Sequence, residues 1–301
     1  QKIEIVLITS NFKKKFFKNK LFNCKYIKVA PFSFLPDRIN KALSASKTLQ
    51  DELKKSKKKN TIVFSLQGSS LAILISKFLG FKIIVRNAED VFGSTIYSEN
   101  KIQSLIILIL KSLLYNFADK IITNSVGSGN SLKKIIFKKK IYPIYNPYFK
   151  KVYKNSSHKR QNYILSIGRL VKQKDFYNLI IAFNIIKKKI PNYKLIIIGD
   201  GQLKYQLQNL VNDLGLSKRI IFTGWKVKLK KYYTKSKLFI LNSLYEGLGN
   251  VLIDAVNYNL PIIATDCDSG PKEIIDYGKG GALVPIKNPT LLSKKILFCL
   301  N

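Results

Sequence analysis

Histidine is almost missing from this chain: His158 is the only one in 301 residues. A lone histidine in a polar stretch leaves no Ser-His, Cys-His or His-metal arrangement to build chemistry on. Methionine is absent, and the chain opens on Gln1 inside a strand-like run. Both features predict a fragment. The three cysteines, Cys24, Cys267 and Cys299, form no CxxC pair and no disulfide framework, which fits a reducing compartment. No N-terminal stretch has the build of a signal peptide. The most apolar window, 105–117, is broken by Lys111 and falls short of the roughly 20 residues a membrane-spanning helix needs. A G-x-G-x-x-G fingerprint, a P-loop and a Cys/His zinc pattern are all lacking. Acidic side chains are scarce, 17 against 53 Lys and Arg.

That imbalance gives a formal net charge of +36, carried mostly by lysine. Such a field favours anionic partners: nucleic acid, anionic lipid headgroups or phosphorylated small molecules. A compositional origin also fits, since Lys, Ile, Asn and Phe are abundant together, as in AT-rich coding sequence. Residues 11–22 interleave lysines with phenylalanines. This segment reads either as one that lies on an anionic membrane surface or as a solvated loop with some core-facing Phe.

With 46% hydrophobic residues the chain can bury two cores of ordinary size. Short apolar runs alternate with helical periods along most of it. Strands are expected at 2–9, 25–30, 61–65, 81–85, 120–123 and 141–145, with helices at 38–58, 67–79, 101–117 and 129–137 and a loop at 90–99. The apolar helix 101–117 reads as a core helix before a membrane-lying one. Residues 148–160 turn polar and aperiodic, an interdomain linker that contains His158. The rhythm resumes with strands at 163–167, 194–198, 219–222, 238–241, 261–265 and 281–284, and helices between them. Strands alternating with helices imply parallel sheets with right-handed crossovers. The expected fold class is α/β: two Rossmann-like, doubly wound parallel-sheet domains, 1–147 and 161–301, facing a cleft.

Three stretches carry candidate chemistry. The stretch 242–273 follows a strand-like run, 238–241, and opens with a glycine-broken turn, Tyr245-Glu246-Gly247-Leu248-Gly249, followed by a helical pattern from Asn250. Glu246 and Asp254, eight residues apart, suit polyol recognition beside a phosphate, or are surface acids around a turn. Gln67-Gly68-Ser69, opening a helix, and Arg86, ending a strand, are weaker candidates for an acceptor or phosphate site, since most Gly-Ser helix starts are only caps. Asp266-Cys267-Asp268 can hold a divalent cation, but its position before Ser269-Gly270-Pro271 favours a turn, and no metal is expected.

The segments SIGRLVKQKDFYNLIIAF (166–183), LIIIGDGQLKYQLQNLVNDLGLSKRIIFTG (195–224) and NSLYEGLGNVLIDAVNYNLPIIATDCDSGPKEII (242–275) stand in order and in register with one known pattern. On these the chain resembles glycosyltransferase family 4, retaining nucleotide-sugar glycosyltransferases of GT-B fold. The resemblance covers nearly all of 161–301. Residues 117–147 look like the family's last strand, helix and strand of the first domain. The variant TDCDSGPKEI is similar to members that add galactose-type or N-acetylhexosamine sugars to lipid-linked or polysaccharide acceptors.

The resemblance implies roles. Arg169 and Lys174, after Gly168, match the basic pair on the donor diphosphate. Two cations there would neutralise the leaving group without a metal. Glu246 matches the first acid of the family's pair, beside the transferred sugar. Asp254 stands where the second, a Glu, holds the ribose, and is one methylene shorter. Gly247, Leu248, Gly249, Asn250 and Val251 would turn backbone N–H groups toward the diphosphate. Gly224, Trp225, Lys226 and Val227 fall where the base is held, although a lone tryptophan is more often core than platform. The family's first strand and Gly-rich loop, and its last helices, have no counterpart, so truncation at both ends is expected, with weak or no activity for the chain as it stands.

The implied partners are a nucleotide sugar, most simply a UDP-sugar, a glycan or lipid-linked acceptor and an anionic membrane surface. No cofactor and no nucleic acid is expected. The implied location is cytoplasmic, peripheral at the inner membrane face. Two other classes remain: a GT-B sugar epimerase or phosphorylase, which would want more acid/base groups, and a basic nucleic-acid-binding protein, which would leave the glycine turns unexplained.

Overall fold

The computed structural model describes residues 4–9, 23–28, 37–66, 69–137, 141–147 and 160–301. The expected linker (all but Arg160), His158 and the Lys/Phe stretch 11–22 lie outside these residues, as do Gln67 and Gly68. Strand β1 (Glu4–Thr9) pairs in parallel with β2 (Asn23–Lys28). Helix α1 (Asp37–Lys54), β3 (Ile62–Ser65), α2 (Ser69–Phe78), β4 (Lys82–Asn87), α3 (Val91–Ile96), α4 (Lys101–Leu114), β5 (Lys120–Thr123), α5 (Val126–Lys133) and β6 (Ile141–Pro143) follow. Strands β3 to β6 form a four-stranded sheet in chain order, with β3 and β4 parallel.

The second half runs β7 (Tyr163–Ile167), α6 (Phe176–Ile186), β8 (Lys194–Ile198), α7 (Lys204–Asp213), β9 (Ile220–Phe222), α8 (Lys230–Lys235), β10 (Leu238–Leu241), α9 (Asn250–Asn257), β11 (Ile262–Thr265), α10 (Pro271–Ile274), β12 (Ala282–Val284) and α11 (Pro289–Leu300). Its six strands form a parallel sheet in the order β12-β11-β10-β7-β8-β9. Two α/β units with parallel sheets are what the alternating runs predict.

The six-stranded sheet is apolar on both faces, as a sheet covered by crossover helices must be. Side chains alternate along each strand. Ile164, Leu195, Ile240 and Ile263 join α6, α7 and α11 in one core layer. Leu165, Ile196, Phe239 and Ala264 join Tyr233, Leu252 and Ala255 in the other. Arg219 fastens the far end of α6. Its guanidinium donates to the carbonyls of Lys187 (2.7 Å), Ile190 (2.5 Å) and Tyr193 (2.8 Å) and lies 5.0 Å from the Phe183 ring centroid.

The two compact units do not follow chain order. One comprises Gln1–Asn87, Leu110–Ile122 and Ile136–Tyr142; the other Ala88–Ile109, Thr123–Ile135 and Pro143–Asn301.

Three local expectations are corrected. The loop expected at 90–99 contains α3, a six-residue helix started by Asp90, whose carboxylate accepts from Gly93 N at 2.6 Å. Helix α5 begins three residues early because Ser125 caps it, accepting from Ser128 N at 3.0 Å. Helix α4 is not a core helix. Lys111 is its only buried residue, while Ile102, Leu105, Ile106, Ile109 and Leu113 are exposed.

Candidate active site

Strand β7 has β8 on one side and β10 on the other. The chain winds outward from β7 to β9, then returns through α8 to β10 and winds the other way. The gap beyond the carboxyl ends of β7 and β10 is therefore the switch point of this sheet, the place where open α/β sheets hold ligands. Arg169 and Lys174 follow β7, and Glu246 follows β10, so the fold brings these three together.

The β7 turn runs through a 3-10 turn, Lys172–Lys174, and reverses at Asp175 in the left-handed region (φ 46°). Lys174 passes over Gly168, whose missing Cβ would sit 3.2 Å from the lysine methylenes. Its ammonium then pairs with Glu246 Oε1. The two side chains are only 13% and 8% exposed. Ser243 Oγ donates to the same carboxylate oxygen at 2.6 Å. Gln173, between the two basic residues, ties the turns together. Its carbonyl accepts from Leu244 N (2.8 Å), its amide nitrogen donates to the Tyr245 carbonyl (3.0 Å), and its amide oxygen accepts from Arg169 at 3.2 Å. Arg169 is exposed.

Beside this pair lies a floor without side chains. Gly199, ending β8, presses so closely on Gly168 that a Cβ would meet the Gly168 carbonyl oxygen at 1.8 Å. Gly199 N donates to the carbonyl of Gly224, which ends β9. Three glycine turns thus stand side by side along the carboxyl ends of β7, β8 and β9. Trp225, Lys226 and Val227 rise at the far end, two strands or about 10 Å from β7. Trp225 is 70% exposed, which corrects the core reading.

The Glu246 turn is held from several directions. Ser269 Oγ donates to the Glu246 carbonyl at 2.5 Å. Ser125 and Ser128 donate to the Gly247 carbonyl at 2.6 and 3.1 Å. A Cβ on Gly247 would lie 2.1 Å from the Ala88 carbonyl oxygen, so only glycine fits there. Leu248 is buried, and Gly249, at φ +85°, opens α9 with no side chain capping it. The N–H groups of Asn250 and Val251 begin that helix, and Asp254 lies one turn on, half-buried.

Electrostatics follow from burial. The Tyr245 phenol is raised above its ordinary pKa by burial and then by Glu89, with Arg169 opposing. Burial pushes the Cys267 thiol up to about 12, so this cysteine is no nucleophile at neutral pH. Asp266 pairs with Lys272 at 3.7 Å. Among the described residues no cluster of three or more His, Cys, Asp or Glu has the placing of a metal site. Of the weaker candidates, Ser69 is buried against Ser65 Oγ at 3.3 Å and Arg86 is half-buried in β4.

Residues 149–301 match the family described as glycosyl transferases group 1. The chain belongs to this family. An uncharacterised glycosyltransferase of Methanocaldococcus jannaschii, MJ1059, is 37% identical over 193 residues, 60% of this chain and 47% of its own length. An N-acetylgalactosaminyltransferase of Campylobacter jejuni, named for a diphospho-undecaprenol substrate, is 32% identical over 224 residues, 71% of this chain and 60% of its own. The chain spans about half the length of the curated relatives it matches. Among solved structures, Anabaena Alr3699/HepE in complex with UDP and glucose superposes with a TM-score of 0.77 at 17% identity, over 98% of this chain and 82% of that one. TarM superposes at 0.71 and 21% identity, over 84% and 51%. These neighbours establish the GT-B class of fold.

Several residues of this member of the group 1 glycosyl transferases hold the candidate site's turns without standing out in the sequence. Ser125 carried a signal, a serine just before a helical run. Gln173, Ser243 and Ser269 lie inside the matched segments but carry no pattern of their own. Glu273 lies near the end of the third matched segment, with no pattern that marks it singly. Its carboxylate accepts from Val126 N (2.9 Å), Gly127 N (2.8 Å) and the Tyr145 hydroxyl (2.8 Å). The Tyr145 phenol is pushed up to about 12, first by burial and then by that bond.

Proposed function

We propose that this protein is a retaining glycosyltransferase that moves a hexose or N-acetylhexosamine from a UDP-sugar to a lipid-linked or polysaccharide acceptor. The observation that carries the reading is the Lys174–Glu246 pair, with Arg169 beside it, at the switch point of the six-stranded sheet and next to a floor of glycine turns. Arg169 and Lys174 hold the donor diphosphate, together with the N–H groups from Gly247 to Val251. Gly224, Trp225, Lys226 and Val227 hold the uracil, Asp254 the ribose, and Glu246 the transferred sugar. Residues 1–147, including Gln67, Gly68, Ser69 and Arg86, serve the acceptor; 148–160 link them to the donor domain, 161–301.

In the reaction the acceptor hydroxyl oxygen bonds to the anomeric carbon as the bond from that carbon to the diphosphate breaks. The hydroxyl proton passes to the departing phosphate oxygen, and UDP leaves. Charge builds on the diphosphate, where two fixed cations stabilise it most, and this role needs no metal. The names of two relatives support the acceptor class and the stereochemistry. The Campylobacter jejuni enzyme is named for 4-alpha transfer, and a Staphylococcus aureus relative, 30% identical over 135 residues, for poly(ribitol-phosphate) alpha-N-acetylglucosaminyl transfer. An α product from an α-linked donor is retention. Lipid-linked acceptors and a charge of +36 support a cytoplasmic protein at the inner membrane face.

Thermal stabilisation by nucleotides tests the donor reading. UDP and UDP-sugars should raise the melting temperature, while Arg169→Ala should abolish the shift without lowering the melting temperature of the free protein. No response to any nucleotide would overturn it.

A further inference from the structure

Helix α4 is inside out for a soluble protein. Its inward side holds Lys111, 9% exposed, whose ammonium donates to Asn87 Oδ1 at 3.4 Å. Its outward side holds Ile102, Leu105, Ile106, Ile109 and Leu113, each about half exposed or more, with Ile102 at 76%. These positions recur at three- and four-residue steps, so they form one continuous stripe. Soluble monomers rarely expose contiguous apolar patches above about a few hundred Å², and larger ones mark docking surfaces.

We propose that this face of α4 lies in the headgroup region of an anionic lipid bilayer. Charge selects the occupant. A second copy of a chain carrying +36 is repelled, whereas an anionic surface is attracted. No acidic residue occurs between Lys101 and Ala118 to oppose that approach. Exposed Lys101, at the head of the helix, reaches toward lipid phosphates while the aliphatic stripe enters the acyl boundary. Fourteen residues make a helix of about 21 Å, too short to cross the hydrocarbon core. No helix among the described residues is long and apolar enough to cross a membrane. The helix therefore lies in the membrane plane. The inference rests on the membrane-associated acceptor proposed above and names the surface that would bring the protein to it.

Co-sedimentation with vesicles tests it. The purified protein is mixed with vesicles of phosphatidylcholine alone or of equal parts phosphatidylcholine and phosphatidylglycerol. The wild type should bind the mixed vesicles, more weakly as salt is raised, and bind the neutral ones poorly. The triple variant Ile102→Ser, Ile106→Ser, Ile109→Ser should bind the mixed vesicles at least about tenfold more weakly while keeping the wild-type response to UDP. Separately, Ile106→Trp should add blue-shifted emission when mixed vesicles are supplied. Equal binding by wild type and triple variant, no binding by the wild type, or a wild-type dimer that the triple variant lacks would each overturn the proposal. A wild type that binds the mixed vesicles but gives no response to UDP would instead count against the donor reading.

Discussion

Helices α6 and α4 are both rich in Leu and Ile, and apolar content alone does not say which of them the protein covers. In α6, Phe176, Leu179, Ile180, Ala182, Phe183 and Ile186 are buried against the six-stranded sheet. In α4 the only buried residue is a lysine. Apolar composition thus says that a surface must be covered, not by what. Helix α6 is covered by its own sheet. Helix α4 presents its stripe outward, with a polar anchor on its inner side. A helix is held here by its contacts, and substitutions can weigh them.

The largest difference should come from the apolar faces. Phe183→Ala in α6 should cost about 3–5 kcal/mol, the transfer term plus a cavity, because Phe183 is fully buried. Ile106→Ala in α4 should stay within about 0.5 kcal/mol, as surface changes do. Denaturant unfolding of both variants measures this. A cost above about 2 kcal/mol for Ile106→Ala would mean that α4 is covered within the protein, and the contrast between the helices would break.

The polar anchors come next. Arg219→Met removes donors from three carbonyls beyond the C-terminal end of α6 and should cost about 2–3 kcal/mol, since hydrogen bonds from a charged group are stronger than neutral ones. Lys111→Met keeps the packing volume and loses a long bond to Asn87 (3.4 Å), whereas Arg219 gives up short bonds to three carbonyls, so it should cost less than Arg219→Met. A reversed order would make Lys111 the main fastening of α4 and sharpen the contrast further.

Helix α5 is a third case, polar and held by neither means. Glu273 accepts the Val126 and Gly127 N–H groups at its first turn. A carboxylate there satisfies orphan donors and complements the positive end of the helix. Glu273→Gln keeps one acceptor and loses the charge, so it should cost about 1–2 kcal/mol. Amide exchange at Val126 and Gly127 should speed up more than exchange in α6. Unchanged exchange at these two amides would show that Ser125 alone holds the terminus.

Much of this was legible in the sequence. The runs 163–167, 194–198 and 238–241 coincide with β7, β8 and β10, because apolar runs of four or five residues that end at turns are too short for a helix. Arg169, Lys174 and Glu246 were legible through their matched segments. Their contact was not, since 72 positions separate Lys174 from Glu246. Glu273 and Val126 are 147 positions apart, and no local pattern encodes that bond. Helix α3 escaped because six residues are too few to show a period. The outward turn of α4 escaped for another reason. Its apolar stripe recurs at helical steps and so reads as a core-facing side, and no local pattern says whether the protein itself covers such a stripe.

The smallest effect should come from the entry to α6. Asp175 precedes the helix in the left-handed region, and its carboxylate accepts from Asn178 Nδ2 at 2.7 Å. Burial raises its pKa despite that bond and the nearby Lys287. A carboxyl with a raised folded pKa binds more protons folded than unfolded through the affected range. Stability from this group is therefore complete below the ordinary carboxylate pKa and is lost as pH rises through the raised one. Asp175→Asn keeps an acceptor for Asn178, tolerates φ 46° and stays neutral at every pH. The variant should match the wild type in acid and exceed it at neutral pH by up to about 0.5 kcal/mol, with some of the gain offset by the loss of a negative charge near the positive end of α6. Parallel denaturation curves at acid and neutral pH measure the difference. A variant less stable at neutral pH, with the deficit closing in acid, would mean that the charge at the head of α6 outweighs its burial. Entry electrostatics would then join apolar cover in holding the buried helix.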